Sequence, residues 1–205
     1  MRPTRLLAGI LITAGTLSCF AGAYSALIAY YGQEQAAKAW EKLSEAANVK
    51  WINPKPPPPA LDDPRDRPGS VIGRLSFPRL DKTRFVLAGE TAMKSGPTWL
   101  LETAVPGKTG NSVIAGHRDT HFRFLKDVRK GDTILVNSAG STYRYTVTTI
   151  KIVSPRDVSL LSQVPNKVLT LVTCYPFYYI GSAPKRYIVR AEADFFSDTN
   201  QASGG

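Results

Sequence analysis

The sequence predicts an all-β domain, a closed β-barrel with short helices, preceded by an N-terminal transmembrane helix. Three observations carry this. From Gly69 onward, short β-branched and aromatic runs alternate with turn signals, without the strand–helix–strand alternation of a parallel α/β sheet. Ahead of them, Leu6 to Tyr31 contains no charged residue. Between the two lies a segment too rich in proline for helix or sheet to run through it.

The first element is the uncharged run. It exceeds the ~20 residues that a helix rising ~1.5 Å per residue needs to cross a bilayer. Arg2 and Arg5 precede it, which keeps the N-terminus cytoplasmic and places everything after Tyr31 outside. A cleaved signal peptide is the alternative, because Ala21-Gly22-Ala23 forms an A-x-A site. The apolar run continues well past that site, which favours an uncleaved anchor. Cys19 does not read as a lipid attachment site, since Thr16 stands where an aliphatic residue is needed. Residues 1–32 are therefore expected to form a cytoplasmic N-terminus and a single-pass cell-membrane anchor, with the rest extracytoplasmic.

Residues 33–68 follow as stalk and spacer. Gln33 to Trp51 predicts a short helix with Ala36, Trp40, Leu43 and Ala47 on one face and Glu34 paired with Lys38 at i,i+4. The stretch NPKPPPPALDDPRDRPGS then gives an extended, semi-stiff linker ending near Pro68. Residues 69–196 hold the barrel. Its expected strands are Val71–Phe77, Arg84–Leu87, Ser112–Ala115, Thr133–Val136, Thr142–Val153, Val168–Thr173 and Tyr187–Ala191, with turns at RKGD, NSAG and VPNK. Helical pieces are expected at Phe122–Val128 and Asp157–Leu161, and residues 197–205 form a polar tail.

A net charge of +10 would ordinarily suggest nucleic acid. Outside the cytoplasm, anionic headgroups and cell-wall polymers are the neighbours that such a charge meets, so the predicted partners include the membrane and exclude nucleic acid. The same topology separates the two cysteines. Cys19 lies in the membrane and Cys174 beyond it, so they cannot pair. Cys174 is then a lone thiol in an oxidising compartment, where structural cysteines are normally bridged. A buried filler is one reading of it; a nucleophile is the other.

Two further places bear on that choice. His117 ends the strand-like run Val113, Ile114, Ala115 and follows Gly116, which permits a tight strand-to-loop turn. His121, the second of two histidines, reads as a surface or packing residue. Two histidines and one external cysteine are too few for an ordinary structural zinc site without carboxylates, so no metal is assigned. A Cys–His pair is the simpler chemistry, because an imidazolium favours the thiolate beside it. The stretch APKRYIVRA offers Lys185, Arg186 and Arg190 as donors to an oxyanion, and spacing alone does not choose among them.

The stretches AGHRDT, TLVTCYPF and APKRYIVRA, in this order and spacing, resemble the sortase family, and its class D members most. The TLxTC signature is matched by Thr170 to Cys174, the A-G-H context by Ala115, Gly116 and His117, and the arginine opening the last strand by Arg186. IGRLSFPRL, TAVPGKTGN and CYPFYYIGSAPKR extend the likeness from about Ile72 to Ala193. One departure is GPTWLLETAVPG, with Trp99, Leu101 and Glu102 where many class D-like members carry a Gly-His-x-Pro-Gly type stretch. It bears on substrate preference.

The resemblance implies a sortase-like barrel of about eight strands and a cysteine transpeptidase. Cys174 would attack a Thr-x bond in the LPxTx-like C-terminal sorting motif of an exported protein and form a thioacyl-enzyme. His117 would act as general acid and then base, and Arg186 would stabilise the oxyanion. Thr173, Ala115 and Gly116 would shape the acyl site. An amine of peptidoglycan or of another protein would resolve the thioester. No cofactor is implied; some family members respond to calcium, and no acidic cluster here demands it. L,D-transpeptidases and papain-like proteases place their cysteines in different contexts. The alternative from another class is a membrane-anchored, non-enzymatic envelope-binding barrel with Cys174 as filler.

Overall fold

The computed structural model describes residues 3–52, 63–138, 141–179 and 181–193. The prolines of residues 53–62 and the expected polar tail lie outside the described residues.

Eight strands close into a barrel. They are β1 (Val71–Phe77), β2 (Lys82–Ala88), β3 (Thr98–Trp99), β4 (Gly110–Ala115), β5 (Thr133–Ser138), β6 (Ser141–Val153), β7 (Lys167–Tyr175) and β8 (Lys185–Ala193). Around the barrel the order is β1-β2-β3-β4-β7-β8-β6-β5, with β5 returning to β1. All seven expected strands are present. The strand not read in the sequence is β3, whose two residues join β2 to β4. The expected helical pieces are 3-10 turns at Arg123–Asp127 and Val158–Leu161.

Strand alternation sorts the side chains. Leu75, Val86, Trp99, Ile114, Ile134, Tyr145, Leu169, Leu171, Val189 and Ala191 fill the interior. Burying a side chain of this size stabilises by about 1.5–3 kcal/mol, and Trp99 donates its indole N–H to Ala104 O at 2.9 Å, so no polar atom is stranded there. With Leu169 and Leu171 of β7 and Val189 and Ala191 of β8 pointing inward, Cys174 and Arg186 have the opposite parity and stand on the outer face.

The N-terminal helix, α1, runs unbroken from Pro3 to Ile52. The anchor and stalk helix expected as separate segments are therefore one rod. Glu34 and Lys38 pair at 2.7 Å. Among the described residues no helix is long and apolar enough to cross a membrane. The side chains described in α1 are those of residues 13–45, so the strongly apolar start of the expected span lies outside them.

Helix α1 docks on the barrel at its middle. Gln33 Oε1 accepts from Phe85 N–H at 2.9 Å, and Gln33 Nε2 donates to Phe85 O at 3.1 Å and Ser95 O at 3.3 Å. One amide thus satisfies both backbone groups of a β2 residue, as a neighbouring strand would. Gly32 makes the approach possible, because a Cβ there would lie 2.5 Å from Ser95 O. Ala36 is buried one turn on.

Candidate active site

The site is built by two strand pairings. Strands β4 and β7 run parallel, with Ala115 opposite Val172. Two more residues along each chain bring His117 beside Cys174. The continuation is held by Gly116 N–H donating to Val172 O at 3.1 Å and by the Thr173 hydroxyl donating to Gly116 O at 2.7 Å. Deeper in the same pair, the Thr170 hydroxyl donates to Asn111 Oδ1 at 2.7 Å. Strands β7 and β8 are antiparallel, and Arg186 stands directly opposite Cys174. Residues separated by more than fifty positions in sequence meet because three strands share one register.

Local turns then fix each side chain. Phe122 N–H donates to His117 O at 2.9 Å, closing the loop that leaves β4. The Phe122 ring lies where a Cβ on Gly116 would be, 2.8 Å away, so the turn requires glycine at 116. Arg186 Nη1 donates to Ala183 O at 3.3 Å and Lys185 O at 3.1 Å, which holds the guanidinium over the end of the loop before β8.

His117, Cys174 and Arg186 line one open cavity of about 340 Å³, together with Arg118, Ser182 and Ala183. Cys174 is partly exposed and has no disulfide partner. A thiol, an imidazole and a guanidinium on one wall can form a nucleophile, a proton carrier and an anion-stabilising donor. Lys185 and Arg190, left open beside Arg186, do not line the cavity.

The neighbouring residues have supporting roles. Thr173 is 2% exposed and its hydroxyl is committed to Gly116. Ala115 and Gly116 do not line the cavity. His121 is buried, as a packing residue should be, with Nε2 at 3.3 Å from Lys94 O and its ring 6.3 Å from that of His117. Burial holds its imidazole below the ordinary value, partly offset by the Lys94 carbonyl. Trp99 is in the core, and neither it nor Leu101 or Glu102 lines the cavity. Among the described residues no group of three or more His, Cys, Asp or Glu is placed to hold a metal ion. Sequence reasoning missed Arg118. Its signal was position: it follows His117 directly and shares the turn.

A sortase domain model matches residues 75–194, more than half of the chain. Sortase D of Bacillus subtilis is 34% identical over 124 residues, covering 59% of this chain and 63% of that protein. The chain spans less than two thirds of the curated relatives it matches, 42% for Sortase SrtE1 of Streptomyces coelicolor. Among solved structures, the catalytic domain of B. anthracis SrtD is similar with a TM-score of 0.56 at 30% identity, over 68% of this chain and 96% of that one. A Clostridium perfringens Sortase D5 transpeptidase shares the fold, with a TM-score of 0.60 at 23% identity over 82% and 98% of the two chains.

Proposed function

The chain belongs to the sortase family, and on that footing we propose that it is a cysteine transpeptidase acting on exported proteins at the outer face of the cell membrane. The observation that carries this is the meeting of His117, Cys174 and Arg186 on one accessible cavity wall.

The Cys174 thiolate attacks the carbonyl carbon of a Thr-x bond in an LPxTx-like C-terminal sorting motif. The carbonyl oxygen takes the negative charge, and the Arg186 guanidinium faces it. A donor so aimed is worth about 2.7–4 kcal/mol of barrier. Collapse of the intermediate breaks the C–N bond as the His117 imidazolium gives its proton to the departing amine, leaving a thioester on Cys174. An amine from peptidoglycan or another protein then loses a proton to His117, attacks the thioester and releases the thiolate. Water in its place gives hydrolysis.

Membrane attachment belongs to the same proposal. It rests on the uncharged run of residues 6–31 and on Leu17, Phe20, Tyr24 and Tyr30, which project from α1 at 73%, 75%, 66% and 66% exposure. Apolar side chains in that number on a bare helix suit lipid better than water. Such an anchor holds the cavity where exported precursors emerge and raises their effective concentration.

The test is incubation of the full chain, in detergent or vesicles, with a library of LPxTx-like peptides and candidate amines, read by mass spectrometry. A thioester on Cys174 that disappears in Cys174→Ala is the expected result. An adduct on another residue, or none with any peptide, overturns the reading. The non-enzymatic alternative predicts that Cys174→Ala leaves all function intact.

A further inference from the structure

The segment between β7 and β8 carries Ser182 and Ala183 into the cavity wall, and its described residues lie outside helix and strand. Tyr178 and Tyr179 point outward, 71% and 47% exposed. What ties the segment down comes from the other side of the cavity. Arg118 Nη2 donates to Tyr179 O at 2.7 Å and to Gly181 O at 3.1 Å, and its guanidinium lies 5.7 Å from the Tyr179 ring centroid. Gly181 has φ +96, a conformation open to glycine that turns the chain there. Two residues on, Ala183 O accepts from Arg186. One loop therefore links Arg118, adjacent to His117, with Arg186, opposite Cys174. Arg118 Nη1 is buried without an acceptor.

We propose that Arg118 is a specificity-determining positioning residue: it latches the β7–β8 loop against the cavity and thereby sets which peptide side chains fit beside Cys174. Lysine does not replace it, because an ammonium lacks the planar guanidinium whose Nη2 bridges both carbonyls while its carbon lies over the Tyr179 ring. The specificity part rests on the transpeptidase reading; the latch itself does not.

The experiment has two arms, both on the full chain with Cys19→Ser so that Cys174 is the single thiol. In the first, Arg118→Lys and Arg118→Gln are compared with the parent for the rate at which Cys174 reacts with a small and with a bulky methanethiosulfonate. The bulky reagent is expected to gain at least about fivefold while the small one stays within about twofold. Unchanged rates, or parallel changes in both, overturn the latch. In the second arm, kcat and KM are measured for two peptides that differ beside the scissile threonine. Both variants are expected to raise KM about tenfold and to bring the ratio of kcat/KM for the two peptides toward one. A ratio equal to the parent's, whatever the activity, overturns the specificity role. If the parent turns over no peptide, the transpeptidase reading fails, and the first arm still decides the latch.

Discussion

Cys174 and Arg186 face each other across the antiparallel β7–β8 ladder, one residue from the end of one strand and one from the start of the other. Neither position can shift without breaking the register that puts Leu169, Leu171, Val189 and Ala191 in the core. The spacing of thiol and guanidinium is thus set by the barrel rather than by either side chain.

Arg186→Lys keeps the charge but loses the planar guanidinium whose Nη1 donates to both Ala183 O and Lys185 O. The expected loss in kcat is about 10²-fold, the scale of removing one oxyanion donor, with thermal stability nearly unchanged because the side chain is half exposed. Steady-state kinetics with a sorting-motif peptide check this. Turnover near that of the parent would remove the role given to Arg186.

His117→Ala and His121→Ala should separate chemistry from packing. The first is expected to lower kcat about 10²–10⁴-fold. The second should act chiefly on stability, by about 2–3 kcal/mol for a truncated buried side chain. The two also differ in pH response. Burial keeps the His121 imidazole below its ordinary value in the folded chain, whereas unfolded it titrates near ~6.5. Below that pH the unfolded chain binds a proton that the folded chain resists, so the stabilisation is intact above it and is lost as pH falls toward the folded value. Denaturation midpoints measured across this range should fall less steeply in His121→Gln. Equal activity losses in the two alanine variants would mean that His121 takes part in the chemistry.

Gly116→Ala drives a Cβ into the Phe122 ring at 2.8 Å. Overpacking of this kind costs about 1–3 kcal/mol, and it displaces the turn that carries His117. Adding Phe122→Leu should recover part of the stability, so a double-mutant cycle is expected to show coupling. Strict additivity would mean that the ring is not what forbids the methyl.

Much of the barrel, and the residues of the candidate site, could be read from the sequence, for identifiable reasons. Strands such as Val71–Phe77 and Thr142–Val153 are long enough for composition to reveal them, and Cys174, His117 and Arg186 each sit in a recognisable local context. Strand β3 could not be read, because two residues carry no period; only its pairing with β2 and β4 makes it a strand. The expected division between anchor and stalk falls after Gly32. The glycine's actual use is close contact with Ser95, sixty-three positions away, and nothing local announces that. Arg118 was hidden for a similar reason: its partners are the carbonyls of Tyr179 and Gly181, and backbone oxygens leave no trace in side-chain pattern.

The seat of the barrel on α1 would set the distance of Cys174 from the proposed membrane. Gly32 and Gln33 grip Ser95 and Phe85 immediately after Tyr31, the last residue of the uncharged run. With that run in a bilayer, the enzyme would ride flush with the headgroups, its height fixed by a helical mast instead of a tether.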